Sequence, residues 1–377
     1  MRILTPLALA VVAGIAVSTS AARVRVEGVK FADAQGRTFQ WRGITAFRLV
    51  EMVAHGRAQQ ASAYLDWAAS QRLTVVRVFT MAHHLFKLTP DEGTAALPRL
   101  LEMAARRRLH VEVVGLADTA EIRVDVEKHV EQIAAILASH SNAFVEIANE
   151  PVHRTQRREV HDPERLRALA ASIPRDVPTS LGSIETGAGF AAGSYVTWHV
   201  PRSSDFRGWG HVRKIADGAS FVDKWKKPVV SDEPIGAAAE YIAGRRDNNA
   251  ARFRAAGLVT RLAGLGATFH YEGGLQARIP RDRELECFEA WNDAWRLLPN
   301  DVEQRGEFGR AGAKDSAVAG YDSAAAVDVY ERRTPDSAWV IAIGVTGDPA
   351  LQLRSGWRSV EKEESPGIQL LTLRRTD

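Results

Sequence analysis

Two segments of the chain end apolar runs with carboxylates. AFVEIAN (143–149) leads into Asn149-Glu150-Pro151, and KPVVSD (227–232) leads into Glu233-Pro234. Each run has the length and composition of a buried strand. If the two strands face each other in one closed sheet, Glu150 and Glu233 flank a single bond. Glycoside hydrolysis needs such a pair: one acid protonates the leaving oxygen, and one carboxylate attacks or activates water. The acid must keep its proton near neutral pH, through burial or a neighbouring negative charge. The other carboxylate must stay ionised, and Arg77 in LTVVRVF (73–79) can supply the cation it wants.

The elements that would position these residues alternate along the chain. Strand signals fall at 41–45, 73–79, 109–115, 143–149, 178–183, 195–200, 227–232 and 266–271. Helical periodicity falls between them, at about 58–71, 95–108, 123–139, 163–172, 211–225, 248–264 and 284–297. The link between strands five and six is short, and its helix is doubtful. Eight such units predict an α/β fold, a (β/α)8 TIM barrel whose chemistry sits at the C-terminal strand ends. An open doubly wound sheet is the alternative, but the Gly-rich phosphate loop expected after its first strand is missing. Ahead of the barrel, VRVEGVKF (24–31) and TFQWRGIT (38–45) read as a hairpin around DAQGR. After it, residues 300–323 read as a linker. Strands at 326–333, 337–345, 350–356 and 368–375 then form a small C-terminal antiparallel β module. The domains expected are 1–22, 23–305 and 315–377, the last sandwich-like and either packed on the barrel or binding carbohydrate.

Composition narrows the function. The chain has 377 residues, 45% hydrophobic and 25% charged, which suits a soluble globular protein. Its 49 basic and 46 acidic residues leave a net charge of +3, which argues for no nucleic-acid partner. The single cysteine, Cys287, excludes an intrachain disulfide and reads as a small buried hydrophobe. His83-His84 and the scattered histidines lack metal-ligand spacing, so no metal is expected. No G-x-S-x-G elbow points to a serine hydrolase. Residues 1–22, with Arg2, an apolar core at 3–17 and Ser20-Ala21-Ala22, read as a signal peptide for a secreted or periplasmic protein. An uncleaved anchor is the alternative. The sequence leaves the oligomeric state open.

With Asn-Glu-Pro at strand four and Glu at strand seven in this eightfold rhythm, the chain resembles the clan A glycoside hydrolases. It is most similar to glycoside hydrolase family 5, over about residues 24–300. The resemblance implies that Glu150 is the general acid/base and Glu233 the nucleophile of a retaining mechanism, with no cofactor. It further implies that Arg77 on strand two and His199 in TWHVP on strand six serve the pair. Asn149 would then hold the sugar 2-hydroxyl.

Departures are visible too. Strand eight ends in Phe269, His270 and Tyr271, where the family commonly has Trp, and Asp118 follows strand three in place of a His. His270 is taken as a substrate-binding residue. Trp41, Phe47, Trp198 and Trp209 are candidates to stack on the apolar face of a sugar. Glu146 shares the face of Glu150 and is a candidate partner of Arg77. Asp232 is expected to point to the other face of its strand. Glu185 and Glu272 could line the cleft. His153, Arg154, Arg157 and Arg158 form a basic loop after strand four, suited to solvent or to an acidic sugar. The partner expected is a β-linked carbohydrate. The rival readings are a barrel that binds sugar without cleaving it, and a transglycosylase using the same residues.

Overall fold

The computed structural model describes residues 23–201 and 208–376. The predicted signal peptide, residues 1–22, lies outside the described residues. Eight parallel strands form the central sheet: β1 (Arg42–Thr45), β2 (Val75–Phe79), β3 (His110–Leu116), β4 (Ala143–Ala148), β5 (Thr179–Ser180), β6 (Val196–Trp198), β7 (Val229–Ser231) and β8 (Gly266–Phe269). They pair in the order β5-β4-β3-β2-β1-β8-β7-β6. The ring closes between β5 and β6, where Ser183 bridges Thr197 in parallel and Ser180 Oγ lies 3.0 Å from Thr197 Oγ1. The expected (β/α)8 barrel is therefore the fold.

Helices cover the outside, most of them through one apolar face, while Ala250–Leu262 is buried on nearly all sides. Pro90–Ala105 buries Leu97, Leu100, Leu101 and Ala104, and its start is fixed by a capping box between Thr89 and Glu92. That start precedes the predicted one. A short helix at Leu49–Ala54 is additional, and the link between β5 and β6 holds two 3₁₀ turns, Ile184–Thr186 and Ala188–Ala192. No helix among the described residues is long and apolar enough to cross a membrane. Cys287 is buried in the helix Arg283–Asn292, and burial pushes its thiol up to about 12.

The expected turn at DAQGR is present, with Ala32 bridging Thr38 antiparallel and the Phe39 N–H donating to the Phe31 carbonyl at 2.9 Å, and the first arm itself folds into a further tight hairpin. Arg25–Glu27 pairs with Lys30–Ala32 around Gly28, whose φ of +60° suits a residue without Cβ. Beyond Phe39 the second predicted arm continues into β1. Phe31 of this hairpin closes the N-terminal end of the barrel, against Trp41, Phe144 and Tyr195.

The C-terminal module is a five-stranded antiparallel sheet. Its strands are β9 (Glu307–Arg310), β10 (Asp328–Arg333), β11 (Ser337–Val345), β12 (Trp357–Ser365) and β13 (Gly367–Arg375), in the order β9-β10-β11-β13-β12. β9 lies inside the stretch read as linker. β12 went unread because its alternation is polar on both sides (RSVEKEES), and it is an edge strand exposed along most of its length. Charge on such an edge blocks further strand pairing. One face of the sheet, with Tyr330, Trp339, Ile341, Ile343, Ile368 and Leu370, joins the barrel's own core. The other face is covered by a two-stranded pair, Val318–Gly320 with Gln352–Leu353.

Candidate active site

Strand alternation explains what the barrel holds. In β2, Val76 and Val78 join the core beneath the helices, while Arg77 faces inward. In β4, Val145 and Ile147 face outward, and Phe144 and Glu146 face inward. Above the aromatic floor the interior is therefore ionic. Arg77 is fully buried at its centre. Its Nη2 donates to Glu146 Oε2 at 2.6 Å and to Asn149 Oδ1 at 3.0 Å, and its Nη1 donates to Glu233 Oε1 at 2.5 Å. Its Nε lies 3.4 Å from Asp232 Oδ2 and 3.6 Å from Glu112 Oε2. The ring of Phe47, stacked on Phe79, lies 5.3 Å from the guanidinium carbon.

Glu150 stands at the rim, with its side chain 41% exposed against 7% for Glu233. It has φ +40°, in the left-handed region, and its carbonyl accepts the His153 N–H at 2.8 Å. A non-glycine residue held there carries strain of the kind found at functional sites. Gly182 lets this turn pack against the neighbouring chain, because a Cβ there would lie 2.4 Å from Pro151 and 2.6 Å from the Ala148 carbonyl. One carboxylate oxygen each of Glu150 and Glu233, with one ring nitrogen of His199, all lie within 4.8 Å of one another. His199 is held by its own N–H, which donates to Ser183 Oγ at 3.0 Å. Asn149 uses its carbonyl oxygen on Arg77, which leaves its amide hydrogens to donate elsewhere.

The charges of this interior follow from burial and neighbours. Burial drives Glu112 well above the usual carboxylate range, with Asp232 and Glu146 adding to it against Arg77. Glu112 Oε1 accepts the Tyr195 hydroxyl at 2.9 Å. Burial and the charge of Asp232 push Glu146 up to about 7 against the opposing pull of Arg77. Burial works against a charged His199, but Glu233 and Asp232 outweigh it and hold the imidazole well above its ordinary value. Among the described residues, two groups have metal-ligand atom types, Glu146–His199–Asp232 and Glu150–His199–Glu233. Arg77 and His199 already face these carboxylates, so a metal cation there would meet like charge.

The structure thus gathers Glu150, Glu233, Arg77, Asn149 and His199, with Glu146 as the expected partner of Arg77. It corrects other expectations. Asp232 faces inward, because alternation along β7 puts Val230 inside and Asp232 inside again; the chain then leaves the strand, so Glu233 points inward as well. Trp198 alternates outward and packs edge-on against Phe221 of the helix Trp209–Trp225, so it is core. Trp209, at the start of that helix, lies against Gly344 and Gly367 of the C-terminal sheet. Trp41 belongs to the floor at the opposite end, with Nε1 donating to Thr268 Oγ1 at 3.1 Å. None of these three tryptophans offers a platform at the carboxylates. Phe269 and Tyr271 are also buried, Phe269 against Phe253, Phe288 and Trp291. His270 is buried beside Phe47, with Nδ1 3.0 Å from Thr45 Oγ1.

The loops show equally plain roles. Asp118 accepts the backbone N–H groups of His83 and His84, so it ties the loops after β2 and β3 together. Arg157 donates to the carbonyls of Ile122 and Val124, while Arg154 and Arg158 are exposed. Glu185 and Glu272 are exposed. A cavity of about 630 Å³ lies at the other end of the barrel, between the floor and the C-terminal sheet, lined by Phe39, Trp41, Trp295, Phe308 and Arg332. Glu112, Tyr195 and Ser183 were missed as site residues. The signal for Glu112 was a lone acid inside an otherwise apolar strand, HVEVVGL.

No protein-family model matches the sequence, and no curated protein does. Solved structures match the fold. One, a glycoside hydrolase, aligns with a TM-score of 0.66 at 13% identity, over 95% of this chain and 98% of its own. A glycoside hydrolase family 5 protein from Bacteroides vulgatus ATCC 8482 aligns with a TM-score of 0.61 at 14% identity, over 94% and 93%. A β-glucanase from Saccharophagus degradans, solved with cellotetraose, aligns with a TM-score of 0.54 at 12% identity, over 72% and 92%. In fold, the chain is similar to glycoside hydrolases, family 5 among them.

Proposed function

We propose that the protein is a retaining glycoside hydrolase of a β-linked oligo- or polysaccharide, exported by way of residues 1–22. The observation that carries this reading is the approach of Glu150 and Glu233, with oxygens within 4.8 Å, beside an Arg77 that donates to Glu233. That closeness of one oxygen from each favours direct attack, where the two carboxyl groups stand about 5–5.5 Å apart, over an inverting pair at about 6.5–9.5 Å. Glu150 protonates the glycosidic oxygen as Glu233 attacks the anomeric carbon, and the leaving sugar departs with the proton. Glu150 then takes a proton from water, the water attacks the anomeric carbon, and the bond to Glu233 breaks. Arg77 favours the charged form of Glu233 before and after the ester exists. The amide of Asn149, its oxygen turned to Arg77, would donate to a sugar hydroxyl. The cellotetraose bound by the Saccharophagus β-glucanase supports a β-linked substrate.

The test is a screen of aryl β-glycosides and β-linked polysaccharides with wild type, Glu150→Gln and Glu233→Ala, with the first product's anomer read by NMR. The β-anomer should appear first, and each variant should lose at least about a thousandfold in kcat. A first-formed α-anomer, or a Glu233→Ala variant with near wild-type turnover, would defeat the reading. Products longer than the substrate would show transfer to a second sugar.

A further inference from the structure

His199 presents both ring nitrogens to acids. Nε2 lies 3.5 Å from Asp232 Oδ2, and Nδ1 lies 3.9 Å from Glu150 Oε1 and 4.0 Å from Glu233 Oε2. A neutral imidazole carries hydrogen on one nitrogen only and would turn the other nitrogen's lone pair toward a carboxylate. The ring is buried, and the backbone N–H of His199 donates to Ser183 Oγ. The titratable groups around it are Glu146 and Glu150 from β4 and its turn, and Asp232 and Glu233 from beyond β7. Arg77 stands behind Asp232 at 3.4 Å, and Thr197 and Ser183 are the uncharged polar neighbours.

We infer that Asp232 is a positioning residue: paired with Nε2, it fixes His199 as a cation between the two catalytic carboxylates. This rests on the reading of Glu150 and Glu233 as that pair. Asp232 touches no reacting atom and acts through the imidazole. Its burial next to Arg77 keeps it in place, and His199 carries the charge to the rim. One carboxylate, Glu233, is then flanked by cations on two sides, Arg77 and His199. Glu150 has His199 on its inner side and solvent on its outer side.

Asp232→Asn, His199→Asn and the double variant test this in the full chain. If Asp232 acts through His199, Asp232→Asn lowers the pH at which the ring loses its proton by about one unit or more, read by ¹⁵N NMR. Loss of the cation then moves both limbs of the kcat/KM profile on an aryl β-glycoside to higher pH, by about one unit. His199→Asn shows the same shift, and the double variant shows no further one. A ring titration that stays put overturns the inference. So does a shift of both limbs to lower pH, which is the sign expected if Asp232 acts directly as a negative charge. Thermal unfolding checks that each variant folds. If Asp232→Asn does not, the wild-type ring decides: one nitrogen without hydrogen at pH 7 overturns the inference. If Glu233→Ala keeps its turnover, the hydrolase reading falls while the NMR result still judges the Asp232–His199 pair.

Discussion

Replacing Arg77 with methionine removes a charge shared by Glu112, Glu146, Asp232 and Glu233, at 3.6, 2.6, 3.4 and 2.5 Å. Methionine keeps much of the side chain's length and its place beside Phe47, so the change is mainly electrostatic. Two unit charges about 4 Å apart interact by roughly 4 kcal/mol at an effective dielectric of 20. The full sum is not lost, because carboxylates left without a cation take up protons. Removing one side of a buried pair costs about 3–5 kcal/mol, and that is the loss expected at pH 8. Near pH 5 the same carboxylates protonate readily, and the cost shrinks to unmade hydrogen bonds, about 1–2 kcal/mol. The sign follows from proton binding. Loss of the cation raises the folded-state pKa values and leaves the unfolded ones near 4. The folded variant then holds more protons than the unfolded chain above that pH, and its stability falls as pH rises. Urea unfolding of wild type and variant at pH 5 and pH 8, followed by tryptophan fluorescence, measures both differences. An equal loss at the two pH values, or a loss under about 1 kcal/mol at pH 8, would show that Arg77 is packing rather than charge.

Three further outcomes are expected. Glu146 lies at about 7 instead of its ordinary 4.5, and at about 1.36 kcal/mol per pH unit the wild type should lose about 3 kcal/mol of stability as pH rises through that window. Glu146→Gln should flatten that fall, and urea midpoints across pH 4.5–7 that match wild type would count against it. Trp198→Ala should cost about 3–5 kcal/mol as a core truncation and leave KM of the folded enzyme within twofold; a tenfold rise in KM would restore Trp198 to the sugar site. Deletion of residues 315–377 should abolish folding, since Trp339, Ile341 and Ile368 share the barrel's core, and a cooperative melt of the shortened chain would refute that.

The barrel was legible because its strands and helices differ in length and period, and because a strand buried on both faces must be apolar. The exceptions inside those strands, Arg77 and Glu146, were legible for the same reason: an ion in an apolar strand needs a partner; Glu150, past the end of β4, was legible from Asn-Glu-Pro at the strand tip. Glu112 carried that signal and was passed over. Asp232 was misplaced because period-two alternation holds only while the strand lasts, and β7 ends at Ser231. The tryptophans were misplaced for a related reason. An aromatic ring suits a sugar face and a helix–strand interface equally well, and composition does not separate the two. For Trp198, alternation from inward-facing Thr197 would have done so. In the C-terminal sheet, β12 has no buried face, so no apolar pattern announced it.

Charge balance in the barrel interior gives each carboxylate a different task. Burial holds Glu112 well above the usual carboxylate range and Glu146 at about 7. The other two buried acids, Asp232 and Glu233, lie against the basic side chains Arg77 and His199. Glu150 stands apart, because it alone of the five acids reaches solvent substantially. A carboxyl that must gain and lose a proton in every turnover belongs at such a rim, and one that must stay charged belongs beside fixed cations. The proposed acid/base role of Glu150 and nucleophile role of Glu233 fit this difference in exposure and partners.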